Sequence, residues 1–294
     1  MASLVAGAAG MIGQSEKSRH GRARYRLLAL DLDGTVIGPD REVSSATLAA
    51  LAEFQAAGGR ITIATGRTFR STRPFAEQLR VDVPIICYQG ALIRDHRDGA
   101  TLFHATLPAD LAAEASAKLL HAGIYVQAYI DDELFVPYEG DETRWYLSYS
   151  AATLPVTVVG DLPAFLLDRA PTSLLFIAAE RDVAVHVKGL AASFGTRLNV
   201  ARSHAFFGEL TAPGCTKGQA LEKVAQVLNI PWDVVAAAGD QGSDLDMVAR
   251  AGLGMAVAGG PPELQAVADV VIGGPAEAGL SDAIRRYLLA ERCA

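Results

Sequence analysis

The sequence predicts an α/β fold: a doubly wound, Rossmann-like parallel sheet interrupted by a large inserted α/β domain. Three observations carry this. Short, wholly apolar runs alternate with helical periodicity at both ends of the chain, the pattern of strands buried on both faces. The strands of the stretch between them mix apolar with polar and aromatic positions, as in an antiparallel sheet covered on one face. The 294 residues, half of them apolar, are also enough for two separate cores.

Residues 1–24 are set apart as a flexible tail. Lys17, Arg19, Arg22, Arg24 and Arg26 follow its small apolar run, the reverse of the order in a signal peptide. Gly7-Ala8-Ala9-Gly10-Met11-Ile12-Gly13 looks like a dinucleotide-binding loop. Only six residues precede it, however, and Gln14 to Gly21 carries no apolar stripe to make the required helix. From Tyr25 the alternation begins. Leu27 to Leu30 predicts a strand ending at Asp31, and Ser44 caps a helix that stops at Gly58-Gly59. Ile61 to Ala64 and Val83 to Tyr88 predict the next two strands.

The insertion spans residues 95–211. Its strands are expected near Ile124 to Tyr129, Leu134 to Val136, Leu174 to Ala178 and Phe206 to Leu210, with a hairpin turn at Asp131-Asp132 and helices on one face. Thr216 to Leu228 then predicts a helix, Val234 to Ala238 a strand and Ser243 to Ala251 a helix. Leu253 to Val257, a short helix from Pro261, Val270 to Ile272 and a helix from Leu280 to Leu289 complete the chain. The doubly wound domain thus comprises residues 25–94 and 212–294. Two crossings, at Arg94-Asp95 and at Thr211 to Gly214, join it to the insertion in the manner of a hinge.

Twenty-six Lys and Arg against 33 Asp and Glu give a net charge of −7. The insertion, with 8 basic and 15 acidic residues, carries the whole imbalance. An acidic segment of this size argues against a nucleic-acid partner, though not against one small phosphate held by local donors. No apolar run approaches the ~18 residues of a membrane helix. Cys87, Cys215 and Cys293 are odd in number and far apart, which excludes a disulfide framework and suits a reducing cytoplasm. Cys87 and Cys215 read as buried structural thiols. The histidines form no metal-binding pair.

In an open parallel sheet the reactive groups lie beyond the carboxyl ends of the strands. The first strand is followed by Asp31-Leu32-Asp33-Gly34-Thr35 and the second by Thr65-Gly66-Arg67. Lys217 opens the helix at the return from the insertion, and the next strand ends in Gly239-Asp240-Gln241-Gly242-Ser243-Asp244. Crowded carboxylates need a divalent cation, and an all-oxygen site suits magnesium. A phosphoryl group in transfer needs a lysine, hydroxyl and amide donors and that metal. One carboxylate can attack phosphorus, and another two residues on can pass the proton. Glycines at 34, 66 and 242 let backbone amides approach the phosphate.

These four ordered motifs resemble the haloacid dehalogenase superfamily of phosphatases, in its Cof-like branch (subfamily IIB), from Leu27 onward. The resemblance implies a Mg2+-dependent phosphatase for a small phosphomonoester, a sugar phosphate or similar metabolite, with the insertion as a substrate-specificity cap. It implies Asp31 as nucleophile, Asp33 as general acid/base, Thr65 on the phosphoryl group and Lys217 steadying both. Asp240, the Asp31 carboxylate and the Asp33 carbonyl would hold the metal, with Asp244 acting directly or through water.

Gly34, Gly66, Arg67 and Ser243 are the expected substrate contacts. Arg67 reads equally as a partner of an acidic cap residue, and Ser243 as a helix N-cap. Glu133, Tyr138, Trp145 and Tyr149 are candidates for the cap's substrate face, while Asp246 and Met247 read as helix surface and core. The chain departs from the family pattern at Gln89-Gly90-Ala91 (usually Asn-Gly-Ala), at Ser243-Asp244 (usually Asn-Asp) and at Gly260-Pro261 (usually Asn-Ala). A phosphosugar mutase or phosphotransferase, and a silent phosphometabolite-binding protein, are the alternatives. Dehalogenase chemistry does not need Asp33, and a transport ATPase would need membrane helices.

Overall fold

Every side chain of Leu27–Leu30 is buried, because helices cover both faces of the sheet to which it belongs. In the computed structural model, which describes residues 23–150 and 154–289, that strand is β1. It is followed by α1 (Ser45–Ala56), β2 (Arg60–Ile63), α2 (Phe69–Gln78), β3 (Ile85–Cys87), β4 (Leu92–Arg94) and β5 (Thr101–His104). The middle of the chain supplies α3 (Ala109–His121), β6 (Tyr125–Ile130), β7 (Glu133–Val136), α4 (Asp141–Ser150) and β8 (Val156–Val158). Then come α5 (Leu162–Leu166), β9 (Ser173–Ile177), α6 (Glu180–Phe194), β10 (Asn199–Arg202) and β11 (Phe207–Thr211). The chain returns through α7 (Lys217–Val227), β12 (Val235–Gly239), α8 (Leu245–Arg250), β13 (Leu253–Val257), α9 (Pro262–Val267), β14 (Val270–Ile272) and α10 (Gly279–Ala283). The glycine loop and the rest of the expected tail before residue 23 lie outside the described residues, as does Cys293. Ala23 and Arg24, at the tail's expected end, already donate backbone hydrogen bonds to Ala57 and Leu288.

The parallel sheet has the order β14-β13-β12-β1-β2, and a parallel bridge between Ala64 and Ile86 adds β3 at the β2 edge. All these strands run parallel, but the order in which the chain adds them switches sides between β1 and β12, which makes the sheet doubly wound and opens a crevice at their carboxyl ends. On one face Leu28 and Leu30 pack with Leu51 and Phe54 of α1 and with Ile284 and Leu288. On the other, Leu27 and Ala29 pack with Leu221 and Val224 of α7 and with Met247 of α8. Ser44 caps α1 as expected, its Oγ accepting from the Thr47 amide at 3.1 Å. The helix expected from Ser243 begins instead as a 3-10 turn over Gly242–Asp244, and the closing helix turns from α into π geometry over Ile284–Leu288.

Six strands, β10-β11-β9-β6-β7-β8, form the second sheet, antiparallel except for β7 and β8. Asp131 and Asp132, at φ 51° and 66°, make the hairpin between β6 and β7. Its strands alternate cleanly. Val126, Ala128, Leu174 and Phe176 face α3, α5 and α6, whereas Tyr125, Tyr129, Leu175 and Phe207 face the parallel domain. Helix α4 lies on this second face, its Tyr146 packed against Tyr129 and Phe207, so the expectation of helices on one face alone is corrected. Beyond the expected crossing at Arg94-Asp95, β5 still pairs with β4, which pairs with β3. The chain meets the second sheet's loops at Leu107, whose amide donates to the Pro171 carbonyl.

Candidate active site

The crevice between β1 and β12 is where the strand-end acids converge. Asp31 follows β1, with its amide donating to Ala238 of β12, and is buried. Lys217 is the first residue of α7, a helix capped by Thr216, whose Oγ1 accepts from the Gln219 amide at 3.2 Å. Asp246, expected on a helix surface, instead accepts from Thr216 Oγ1 and from the Gly218 amide, and so fixes the start of α7. Thus placed, Lys217 Nζ donates to Asp31 Oδ1 and to Asp244 Oδ1, both at 2.6 Å. Asp244 Oδ2 accepts from the amides of Asp240 and Gln241 at 3.0 and 2.9 Å. Asp240 accepts from Thr35 Oγ1 and from Gln241 Nε2.

Carboxylate oxygens of Asp31, Asp240 and Asp244 lie within 4.8 Å of one another. Three buried carboxylates face one ammonium, leaving two negative charges where desolvation is costly. Burial pushes the proton affinity of Asp31 well up, against the pull of Lys217. Burial and the neighbouring Asp244 push Asp240 up to about 6. Burial alone would lower the Lys217 pKa, but Asp244 and Asp31 outweigh it and the group stays charged. An all-oxygen trio with this charge deficit fits a hard divalent cation. Asp33 adds no carboxylate to the trio.

The Asp33 side chain is turned to Arg67, whose Nε and Nη2 each donate to one of its oxygens at 2.6 Å. Arg67 Nη1 also donates to the Ser150 carbonyl at the end of α4, 3.3 Å away. Neither sequence expectation for Arg67 anticipated this fork. Thr65 is buried after β2, and its Oγ1 accepts from the Arg67 amide. Ser243 is not the N-cap of its turn, a place taken by Gln241, but half-buried in the cavity wall. Gly260 packs against the Asp240 carbonyl.

Gly34 and Gly66 serve close approach, but of side chains. A Cβ on Gly34, at φ 88°, would stand 2.3 Å from Asp240 Oδ2. Gly34→Ala is therefore expected to cost about 1–3 kcal/mol of stability and to displace Asp240. A urea unfolding curve matching that of the wild type would show that the loop yields freely. A Cβ on Gly66 would stand 2.3 Å from Gln89 Nε2 and 2.6 Å from Glu209 Oε1.

These groups line a cavity of about 50 Å³ between the two sheets, room for a phosphoryl-sized group. Its floor is Asp31, Asp33, Thr65 and Lys217, and its roof comes from the second sheet and α4: Tyr146, Tyr149, His204, Phe207 and Glu209. Of the four roof candidates from sequence only Tyr149 lines the cavity; Tyr138 and Trp145 are exposed. Glu209 was not among the expected site residues, although it is the one charge in an otherwise apolar run, and nothing in the sequence marked Tyr146, His204 or Phe207.

Acids and a lysine at the switch point of a doubly wound sheet define a class, the phosphate-handling α/β enzymes. The chain belongs to the haloacid dehalogenase-like hydrolase family, whose family model matches residues 28–284. It is 27% identical over 265 residues to the 5-amino-6-(5-phospho-D-ribitylamino)uracil phosphatase YitU of Bacillus subtilis, covering 89% of this chain and 97% of that protein. It is also 27% identical over 282 residues to the pyridoxal phosphate phosphatase YbhA of Escherichia coli, covering 90% and 99%. A haloacid dehalogenase-like hydrolase of B. subtilis shares the fold with a TM-score of 0.79 at 22% identity, over 90% of this chain and all of that one. The protein is accordingly a Cof-like hydrolase of phosphoric monoesters. Among the described residues no helix is long and apolar enough to cross a membrane.

Proposed function

We propose that the protein is a Mg2+-dependent phosphatase that hydrolyses a small phosphorylated metabolite through an aspartyl phosphate. The observation that carries this reading is the buried Asp31 carboxylate, with one oxygen on Lys217 and Asp240 and Asp244 beside it, on the cavity floor. The free Asp31 oxygen attacks phosphorus, the ester oxygen leaves with a proton from Asp33, and Asp31 becomes the acyl phosphate. Water then attacks phosphorus, giving its proton to Asp33, which releases phosphate and restores Asp31. Thr65 and Lys217 hold the phosphoryl oxygens through both steps. Asp31, Asp240, Asp244 and the Asp33 carbonyl would hold Mg2+, which supplies charge neutralisation when bound. Asp33 must leave the Arg67 fork to reach the ester oxygen. Because Arg67 also holds Ser150 of α4, that release is tied to movement of the second sheet.

We take residues 95–211 as the insertion on a core of 25–94 and 212–294, with β5 staying on the core side and the part beyond it acting as the cap, and a cavity this small requires that cap to draw back for substrate and product. The ring-bearing phosphates named for YitU and YbhA indicate the size of metabolite involved. The buried free thiols of Cys87 and Cys215 suit a reducing cytoplasm.

Phosphate release measured with and without EDTA, then with Mg2+ restored, tests the proposal; full activity in EDTA would refute it. A pH dependence follows as well. Below about 6 a proton competes with the cation for Asp240. Mg2+ affinity measured by calorimetry from pH 5 to 8 is therefore expected to weaken as pH falls through 6 and to level off above 7. An affinity flat across this range would show that Asp240 is not a ligand.

A further inference from the structure

The roof of the cavity carries a buried acid that the chemistry of the floor does not use. Glu209 projects from β11 on the side that faces the parallel domain, its neighbours Gly208 and Leu210 pointing the other way. It forms no ion pair among the described residues, and its carboxylate accepts from Gln89 Nε2 at 3.1 Å. Gln89 follows β3 with φ 55°, so the pair joins the two sheets across the cavity. Because the amide nitrogen of Gln89 faces the carboxylate, its oxygen is turned away, and Gln89 Oε1 is buried without any hydrogen-bond partner. Leaving such an acceptor unmet is costly, and a ligand that donates to it would recover that cost. Burial, moreover, raises the proton affinity of Glu209 against the pull of the neighbouring Ser203 and Gln89. Gly66 has no side chain where this pair lies, so the loop that carries Thr65 and Arg67 is shaped around it.

Beside these acceptors the roof is aromatic. The rings of Tyr149, His204 and Phe207 meet with centroid separations of 4.8 Å (Tyr149 to His204), 4.9 Å (His204 to Phe207) and 5.2 Å (Tyr149 to Phe207). All three line the cavity. Such a wall suits the face or edge of a planar ring, while a polyhydroxylated chain would leave most of its hydroxyls unmet against it.

We propose that Glu209 and Gln89 are the specificity pair of this site, accepting hydrogen bonds from the leaving group, and that the substrate class is a phosphomonoester of an aromatic or heteroaromatic ring compound bearing N–H or O–H donors. The inference rests on the phosphatase reading above. It assigns the pair no part in bond breaking; its effect is on which ester is held.

The test compares kcat/KM for three phosphomonoesters with wild type, Glu209→Gln and Gln89→Met. Pyridoxamine 5′-phosphate offers a ring with donors, phenyl phosphate a ring without them, and glucose 6-phosphate donors without an aromatic ring. Wild type is expected to prefer the first to each of the others by at least tenfold. Each variant is expected to lower the ratio of pyridoxamine 5′-phosphate to phenyl phosphate at least fivefold, mainly through KM, with a melting temperature showing that it is folded. A folded variant that loses activity equally on all three esters would make the pair structural and overturn the proposal. A wild-type preference for glucose 6-phosphate would overturn the ring assignment. Absence of phosphate release from every ester, with Mg2+ present, would instead refute the phosphatase reading, and this inference with it.

Discussion

Asp31→Asn is expected to abolish turnover, lowering kcat at least ~10³-fold, while making the metal-free protein more stable. The two effects have one origin. Asp31 is one of three buried carboxylates that share a single ammonium, and burial already pushes its proton affinity up. Asparagine is nearly isosteric; its Oδ1 can still accept from Lys217, and its amide can donate toward Asp240. The substitution therefore removes a repelling charge without opening a cavity, a gain of about 1 kcal/mol. An amide cannot form the acyl phosphate, however, so the chemistry stops at its first step. Kinetics and melting curves in EDTA read the two halves separately. More than about a tenth of the wild-type rate would remove Asp31 as nucleophile. A lower melting temperature in EDTA would show that Lys217 and its partners, not repulsion, dominate the local energetics.

The residues that proved legible in the sequence share a property: each stands at the end of an apolar run or the start of a helix. Asp31, Thr65 and Asp240 end buried strands, and Lys217 opens a capped helix, so the doubly wound topology alone brings them together. Helix α2 was not legible. Phe69–Gln78 carries Pro74 in its interior and only three apolar residues besides it, so although these gather on one face they do not form a run that reads as a helix. Strands β4 and β5 are short, and β5 is largely exposed, which leaves no alternation to read. The Arg67–Asp33 fork and the Glu209–Gln89 pair were illegible for a different reason. They join residues 34 and 120 positions apart; the first depends on how two strand-end loops of the parallel sheet turn toward each other, the second on how the second sheet sits over the first. Hydrophobic pattern specifies which face of a strand is covered, but not which side chain of another sheet it meets.

Lys217→Met is expected to give the largest combined loss, about 3–5 kcal/mol of stability and about 10²–10³ in kcat. Methionine keeps the length and the apolar stem, and the Thr216 cap with its Asp246 contact holds the start of α7 regardless of the side chain. What disappears is the one ammonium 2.6 Å from both Asp31 and Asp244. Three carboxylates are then left buried together without a cation, and they must either protonate or admit solvent. Mg2+ restores part of the missing charge, so the melting temperature of the variant should rise more on adding Mg2+ than that of the wild type. Turnover should stay low, because in the proposed reaction the lysine also holds the phosphoryl group as charge builds on it. Since Lys217 sits on the floor, away from the leaving group, the loss in kcat should be the same for every phosphomonoester, unlike the selective loss expected at Glu209. Melting curves with and without Mg2+, together with kcat on a ring ester and a sugar ester, separate these effects. If the variant instead loses one substrate and keeps another, Lys217 reads the leaving group, and the floor-and-roof division of this site is wrong.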